Sequence, residues 1–350
     1  MRERRAEDVS RVSSTGSLSP EDLAWQRRLA HRRRRLLHLL GAIASLAVIA
    51  AAAVLVLGSG GSRGAAGRHA QRARPPIAAR PRPKPPPPIL LPRGGRVLLP
   101  GHLVVAYYGI VGTSNILGQT GDPEADAAGV ERTAHDYVLF GRPVQPAFEL
   151  VVTVASPYPG PDGSYSSAVE LNIVKRYLEA AHRHKLLLIL DFQPGRGEFL
   201  PEVRRYARFL LDPAVGVALD PEWKLTSEEV PDEVIGSSSA GAINAVSAYL
   251  SALTVRHRLP QKLFIVHEFR TTELPDRGKI AIRPRLATVL QMDGLGPVSS
   301  KLYSYRQVMN GAQRFYPGFK VFLRPVDDPV RLTPAQIIAL RPRPAYISYQ

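Results

Sequence analysis

The chain has 350 residues, of which 45% are hydrophobic and 22% are charged. It is therefore long and apolar enough to bury a large core, which excludes a wholly disordered protein. The absence of cysteine excludes a disulfide scaffold, a cysteine-ligated metal or iron–sulfur site, and a cysteine nucleophile.

The net charge of +16 is concentrated ahead of residue 101. Residues 1–35 hold ten basic and five acidic side chains, and residues 36–100 hold nine basic and no acidic ones. Residues 101–350 hold 27 basic and 25 acidic side chains, so this part is nearly neutral. Nucleic-acid recognition needs a basic patch on the folded part. We therefore expect no nucleic-acid partner.

The first predicted element is a membrane anchor. Residues 36–57 form a run of 22 residues without a formal charge, and a helix of that length spans about 33 Å, enough for a bilayer core of about 30 Å. The four arginines from Arg32 to Arg35 precede it, which favours a cytoplasmic N-terminal tail over residues 1–35. We predict a single-pass helix in the lipid bilayer, with the rest of the chain outside the cell. A cleaved signal peptide is the alternative, but its apolar segment would be unusually long and distant from the N-terminus.

Residues 58–100 are rich in Pro, Arg, Gly and Ala and are predicted to be a disordered linker. Within them, PPIAARPRPKPPPPILLP (75–92) favours polyproline II, which would extend roughly 55 Å. Such a spacer would carry residues 101–350 away from the membrane. Its arginines could serve solubility or contact anionic headgroups or wall polymers, and both interpretations stay open.

Residues 101–350 alternate between strand-like and helix-like segments. The eight strand candidates are 102–109, 146–155, 186–194, 215–223, 262–269, 285–294, 318–325 and 345–350. The helix candidates are 122–140, 167–185, 198–211, 240–258, 298–310 and 333–340, whereas 271–284 is short and irregular.

Apolar strands separated by helices predict a parallel sheet covered on both faces. Eight such units in about 250 residues predict an α/β fold of the (β/α)8 TIM-barrel type. An open doubly wound sheet is the main alternative. The glycine-rich segment after the first strand, GIVGTSNILGQTG (109–121), lacks the GxGxxG spacing of a dinucleotide-binding turn.

Polar residues gather where the strand candidates end, which is where (β/α)8 barrels place their active sites. They are Tyr107, Tyr108, Asp191, Gln193, Asp220, Glu222, Trp223, His267, Gln291 and Asp293. Residues i and i+2 of a strand point the same way. We therefore expect three pairs to face the barrel mouth: Asp191 with Gln193, Asp220 with Glu222, and Gln291 with Asp293.

The pair Asp220 and Glu222 has the clearest chemical interpretation. Two carboxyl groups in one cleft raise the pKa of one of them, and the raised one can protonate a leaving-group oxygen near neutral pH. Glycoside hydrolysis uses such a pair. Asp220 could instead be a structural acid that caps its loop. The aromatic residues Tyr107, Tyr108, Trp223 and Tyr349 could stack on sugar rings or could be ordinary packing residues.

The ALDPEW segment (218–223) resembles the DxE signature of glycoside hydrolase barrels, notably the lysozyme-like family 25 and the chitinase-like family 18. Residues 101–350 also resemble actinobacterial secreted or membrane-anchored proteins with a glycosidase-type barrel. The resemblance implies that Glu222 is the general acid and Asp220 a supporting acid. The chain departs from the chitinase pattern at Gly216 and Ala218, where that pattern has further acids. The seventh strand candidate also lacks an acid, which leaves Asp293 or Asp191 as a second carboxylate.

Other chemistries fit less well. The segment GSSSAGAI (236–243) lacks the GxSxG nucleophile elbow because Ala240 replaces its second glycine. His267 with Asp191, Asp220 and Glu222 could bind a metal, but a lone histidine at a strand end is more often a hydrogen-bonding partner. We therefore predict neither a metal nor a cofactor.

Together these patterns predict a membrane-anchored glycoside hydrolase acting on cell-wall or extracellular polysaccharide. The predicted catalytic residues are Glu222, Asp220, Asp293 and Asp191. The predicted substrate-binding residues are Tyr107, Tyr108, Gln193, Trp223, His267 and Gln291. The alternative is a polysaccharide-binding or scaffold barrel at the cell envelope that keeps the mouth but does not hydrolyse.

Overall fold

The structure, a computed structural model, describes residues 87–111, 119–160 and 162–350. Eight parallel strands close into a barrel in the order β1-β9-β8-β7-β6-β5-β4-β2, with β2 pairing again with β1. The predicted TIM-type barrel is therefore confirmed, and the open sheet is excluded.

The predicted anchor at 36–57 and the tail at 1–35 lie outside the described residues. Among the residues that are described, no helix is long and apolar enough to cross a membrane.

The barrel strands are β1 (Leu103–Gly109), β2 (Val144–Ala155), β4 (Leu187–Phe192), β5 (Val215–Leu219), β6 (Lys262–Glu268), β7 (Leu286–Met292), β8 (Tyr316–Val321) and β9 (Tyr346–Tyr349). The α-helices are α1 (Pro123–His135), α2 (Leu171–His184), α3 (Phe199–Arg205), α4 (Ala207–Leu210), α5 (Ala240–Arg256), α6 (Val298–Met309) and α7 (Pro334–Ile338).

The barrel strands are buried on both faces. In β1, Val104 belongs to the hydrophobic cluster that fills the barrel interior, whereas Leu103 and Val105 belong to the cluster between the strands and the helices. Alternate side chains of a strand point to opposite faces, and here both faces are covered. This double burial explains why the strands read as continuous apolar runs in the sequence.

Among the helices, α1 has a capping residue at its start and α2 has apolar residues on its buried face, as their sequences indicate. Asp122 caps α1, because its side chain accepts hydrogen bonds from the Glu124 and Ala125 amides. In α2, Val174 and Tyr177 lie on the buried face. Between β6 and β7 the described chain forms one 3-10 turn, Arg277–Lys279, and no α-helix, as the irregular segment 271–284 predicted.

A short strand, β3 (Ser166–Ala168), pairs antiparallel with the end of β2. This strand was not predicted, and the predicted helix began at residue 167, whereas α2 begins at Leu171. The extension of β2 to Ala155 offers three further residues for pairing. Three small residues, two serines and an alanine, are too short a pattern for sequence periodicity to detect.

The folded part begins before residue 101, so the predicted linker boundary is too late. Leu91, Leu98 and Leu99 are buried with Leu187 and Leu263 in the barrel-interior cluster, at the end where the strands begin. These leucines seal the barrel at the end opposite its mouth.

Candidate functional site

Five of the residues predicted from the sequence meet inside the barrel at the carboxyl ends of the strands. Asp191, Asp220, His267, Gln291 and Asp293 are each at most 1% exposed. Parallel pairing in register brings these strand ends to the same level of the barrel. The predicted convergence of polar residues on the mouth is therefore confirmed for these five.

Asp220 and Glu222 are positioned by a tight turn after β5. The turn Pro221–Trp223 is a 3-10 helix in which the Trp223 amide donates to the Asp220 carbonyl over 3.1 Å. The Gly236 amide donates to the Glu222 carbonyl over 2.7 Å. Asp220 is 1% exposed and Glu222 is 8% exposed, so Glu222 is the more accessible acid of the pair.

Gln193 and Tyr108 connect this turn to two other strands. The Gln193 side-chain amide donates to the Asp220 carboxylate over 3.2 Å and to the Tyr108 hydroxyl over 3.3 Å. Its side-chain oxygen accepts from the Ala155 amide over 3.2 Å. Gln193 and Tyr108 thus face the mouth, as predicted, and Gln193 holds one side of the Asp220 carboxyl group.

Tyr107 does not face the mouth. Its hydroxyl pairs with the Thr133 hydroxyl of α1 at 2.7 Å, because neighbouring residues of a strand point to opposite faces. Tyr349 also faces outward, and its hydroxyl pairs with that of Tyr137. The structure therefore contradicts the prediction that Tyr107 faces the mouth, and of the two interpretations of Tyr349 it favours ordinary packing. Trp223 is partly exposed on the 3-10 turn.

Glu149 is a residue of this site that the strand-end pattern did not predict. It lies in the middle of β2 and is completely buried. One Glu149 oxygen is 2.9 Å from His267 Nε2, and the other accepts from the Tyr346 hydroxyl over 2.8 Å. His267 Nδ1 is 3.3 Å from the Asp293 carboxylate. His267 is therefore held between two carboxylates. A charged residue inside an otherwise apolar strand is the signal that could have revealed Glu149.

Lys320 on β8 is a second residue that the sequence analysis missed. It is 2% exposed, and its ammonium lies 3.5 Å from the centre of the Tyr108 ring. Gln291 of the neighbouring strand donates to the Ser348 hydroxyl over 2.5 Å. Lys320 thus places an amine-bearing side chain on β8, which is the strand candidate 318–325 that has no acid in its apolar run.

Burial and mutual repulsion change the protonation of this cluster. Burial, followed by the neighbouring carboxyl group of Glu222, raises the pKa of Asp220 well above its usual value. Burial likewise raises the pKa of Asp191 to about 6, although His267 opposes it. Burial would lower the pKa of His267, but Glu149 and Asp293 outweigh it and raise that pKa well above its usual value.

Two further acids lie near the mouth but have structural partners. Glu268 points away from the barrel axis and accepts from Arg277 of the 3-10 turn over 2.8 Å. Glu273 accepts from the Phe269 amide over 3.0 Å. Burial, followed by the charge of Glu222, raises the pKa of Glu273 well above its usual value. Burial and the proximity of Glu222 therefore favour the neutral, protonated form of Glu273.

Two sets of side chains have the donor types and the spacing of a metal site: Glu149, Asp191 and His267, and also Asp220, His267 and Asp293. Within each set, one potential ligand atom from each residue lies within 4.8 Å of the others. The two sets share His267, so the arrangement offers a metal one imidazole nitrogen and two carboxylates.

Comparison with known proteins adds no assignment to this geometry: no family model and no curated protein matches the sequence.

Proposed function

We propose that the protein is a glycoside hydrolase acting on cell-wall or extracellular polysaccharide, with Glu222 as the proton donor. The observation that carries the proposal is the pair of carboxyl groups on the 3-10 turn after β5. Asp220 precedes this turn and is 1% exposed, and Glu222 lies within it and is 8% exposed. Paired carboxyl groups at a sugar-binding cleft are the common catalytic unit of glycoside hydrolysis.

Other acids extend this pair into a catalytic set. A carboxylate oxygen of Asp293 lies within 4.8 Å of one of Asp220, and Asp191 is buried on the adjacent strand. In the proposed reaction Glu222 protonates the glycosidic oxygen. Asp293 acts as the base that takes a proton from water, and this water forms the new bond to the anomeric carbon as the glycosidic bond breaks. Asp220 and Asp191 are the electrostatic partners of these two acids.

The mouth also has groups suited to hydroxylated ligands. Gln193 and Tyr108 carry amide and hydroxyl groups, and Trp223 is a partly exposed aromatic residue beside Glu222. Polar donors with an aromatic face are suited to the polar edges and apolar faces of sugar rings. The predicted anchor and linker would hold this mouth outside the cell.

A polysaccharide-binding barrel without hydrolytic activity is the second candidate. The position of Lys320 favours it, because β8 brings an ammonium group to the mouth where the common retaining scheme has an acid. A barrel of this type would keep the sugar-binding groups and lack the second catalytic carboxylate.

The test is the release of reducing sugar from purified wall polysaccharide by the full-length chain and by Glu222→Gln. We expect release by the wild type and at least a 100-fold lower rate in the variant, because general acid catalysis contributes about 10²–10⁴-fold. Glu228→Gln is the matched control, since Glu228 is an exposed acid in the same loop.

Release that survives Glu222→Gln would contradict the assignment of the proton donor. Saturable binding of the polysaccharide without release by the wild type would instead favour the binding barrel.

A further inference from the structure

The floor of the mouth holds a histidine and two acids in the arrangement of metal ligands. One carboxylate oxygen each of Glu149 and Asp191 and one nitrogen of His267 lie within 4.8 Å of one another. The three residues come from β2, β4 and β6 and are at most 1% exposed. They lie on rigid strands, which favours a preformed site over one assembled from loops.

Asp191 is the second, independent observation. It is completely buried, and neither of its carboxylate oxygens has a hydrogen-bond partner among the residues that the structure describes. Buried polar atoms without partners are rare and costly, and one explanation for them is an ion that belongs at the site. Both oxygens are therefore available to a ligand at the centre of the cluster.

The charges at this level of the barrel also indicate a cation. The described side chains there include four buried carboxyl groups, those of Glu149, Asp191, Asp220 and Asp293. The groups able to carry positive charge that face them are His267 and Lys320. Burial disfavours the ionised forms of these carboxyl groups, and a bound cation would stabilise them, because buried charges are paired or coordinate metals.

The surrounding residues orient the ligands as they do in known metal sites. The Asp293 carboxylate lies 3.3 Å from His267 Nδ1, which leaves Nε2 facing Glu149 at 2.9 Å. The Tyr346 hydroxyl donates to the second oxygen of Glu149 over 2.8 Å. A carboxylate on the far nitrogen of a histidine, and a donor on a ligating carboxylate, are typical of metal centres.

We propose that Glu149, Asp191 and His267 bind one divalent transition-metal cation, Zn²⁺ or Mn²⁺. One imidazole and two carboxylates are suited to these ions, whereas Mg²⁺ and Ca²⁺ prefer oxygen ligands alone. The proposal goes beyond the proposed hydrolysis, because the site is built from the barrel strands and needs no polysaccharide to bind its metal.

The test is a calorimetric titration of the full-length chain, purified in mild detergent and stripped with EDTA, with ZnCl₂ or MnCl₂. We expect one high-affinity cation per chain and a higher melting temperature with the cation bound. Asp191→Asn and His267→Gln should each weaken the binding at least 100-fold. Asp293→Asn should weaken it about 10- to 100-fold, since this residue only orients His267.

His184→Gln is the matched control. His184 also lies between two carboxylates, those of Glu124 and Glu131, but on the surface of the molecule. Its replacement should leave the high-affinity binding unchanged, whereas a loss confined to this variant would show surface binding and overturn the proposal. Circular dichroism identifies variants that do not fold, and the comparison then uses those that do.

The proposal is also overturned if the wild type binds neither cation saturably, or if folded Asp191→Asn and His267→Gln bind as the wild type does. Because the titration contains no polysaccharide, its result stands whether or not the protein hydrolyses one.

Discussion

At the scale of single residues, the barrel uses burial to set the protonation of its titratable groups. At the end of the barrel where the strands begin, Lys262 is 2% exposed. Its amine donates to the Asp212 and Val215 carbonyls over 2.6 and 2.7 Å. Burial lowers the pKa of Lys262 to about 7, with partial compensation from the Asp212 charge. The folded state therefore favours the neutral amine.

This pKa makes a testable contribution to stability. Between pH 7 and about 10.5 the unfolded chain binds a proton that the folded chain lacks, so the free energy of unfolding rises with pH in this window. The measurement is chemical denaturation of the wild type and of Lys262→Met at pH 7 and at pH 9. The free energy of unfolding of the wild type minus that of the variant should be about 2 kcal/mol larger at pH 9 than at pH 7. An equal difference at both pH values would contradict the lowered pKa.

At the scale of elements, the loop between β2 and β3 packs against Gly195, which follows β4, and leaves no space for a side chain there. Gly195 has a φ of +58°, and a Cβ atom added there would lie 2.4 Å from the Ser164 carbonyl oxygen. The Arg196 amide donates to the same oxygen over 2.6 Å. The backbone of the hairpin loop and that of the segment after β4 therefore touch directly.

Gly195→Ala should lower the free energy of unfolding more than Gly163→Ala. Both glycines have a positive φ, but a Cβ atom at Gly163 would meet nothing within 4 Å. We expect a loss of about 1–2 kcal/mol at Gly163 from the left-handed backbone conformation alone, and about 1–3 kcal/mol more at Gly195 from the clash. If thermal denaturation shows equal losses of unfolding free energy for the two variants, the backbone around Gly195 moves to make space for the Cβ atom without cost, which contradicts the prediction.

The elements also show why the fold was easier to predict than the site. Eight apolar runs separated by helices could be counted without knowing which way any side chain points. The site depends on the direction of each side chain, and two adjacent tyrosines illustrate this, because Tyr108 faces the mouth and Tyr107 faces α1. Glu149 lies inside an apolar strand, and the polar pattern at the strand ends does not include it.

At the scale of the whole molecule, the two ends of the barrel have different roles. Leu91, Leu98 and Leu99 close the end where the strands begin, and the carboxyl groups gather at the other end. The segment before β1 therefore joins the barrel on the side away from the mouth. If residues 36–57 anchor the chain in the membrane, as predicted, the barrel is attached through the end opposite its mouth.

The most direct test of the central claim measures how the loss of kcat/KM in Glu222→Gln depends on the leaving group of the substrate. A general acid matters for the poor leaving group of a polysaccharide and little for dinitrophenolate, which departs without a proton. The substrates compared are the polysaccharide and a set of dinitrophenyl glycosides of the sugars that the wild type releases.

We predict that Glu222→Gln lowers kcat/KM for the polysaccharide at least 100-fold and for the dinitrophenyl glycoside less than about 10-fold. An equal loss on both substrates would contradict the assignment of Glu222 as the proton donor.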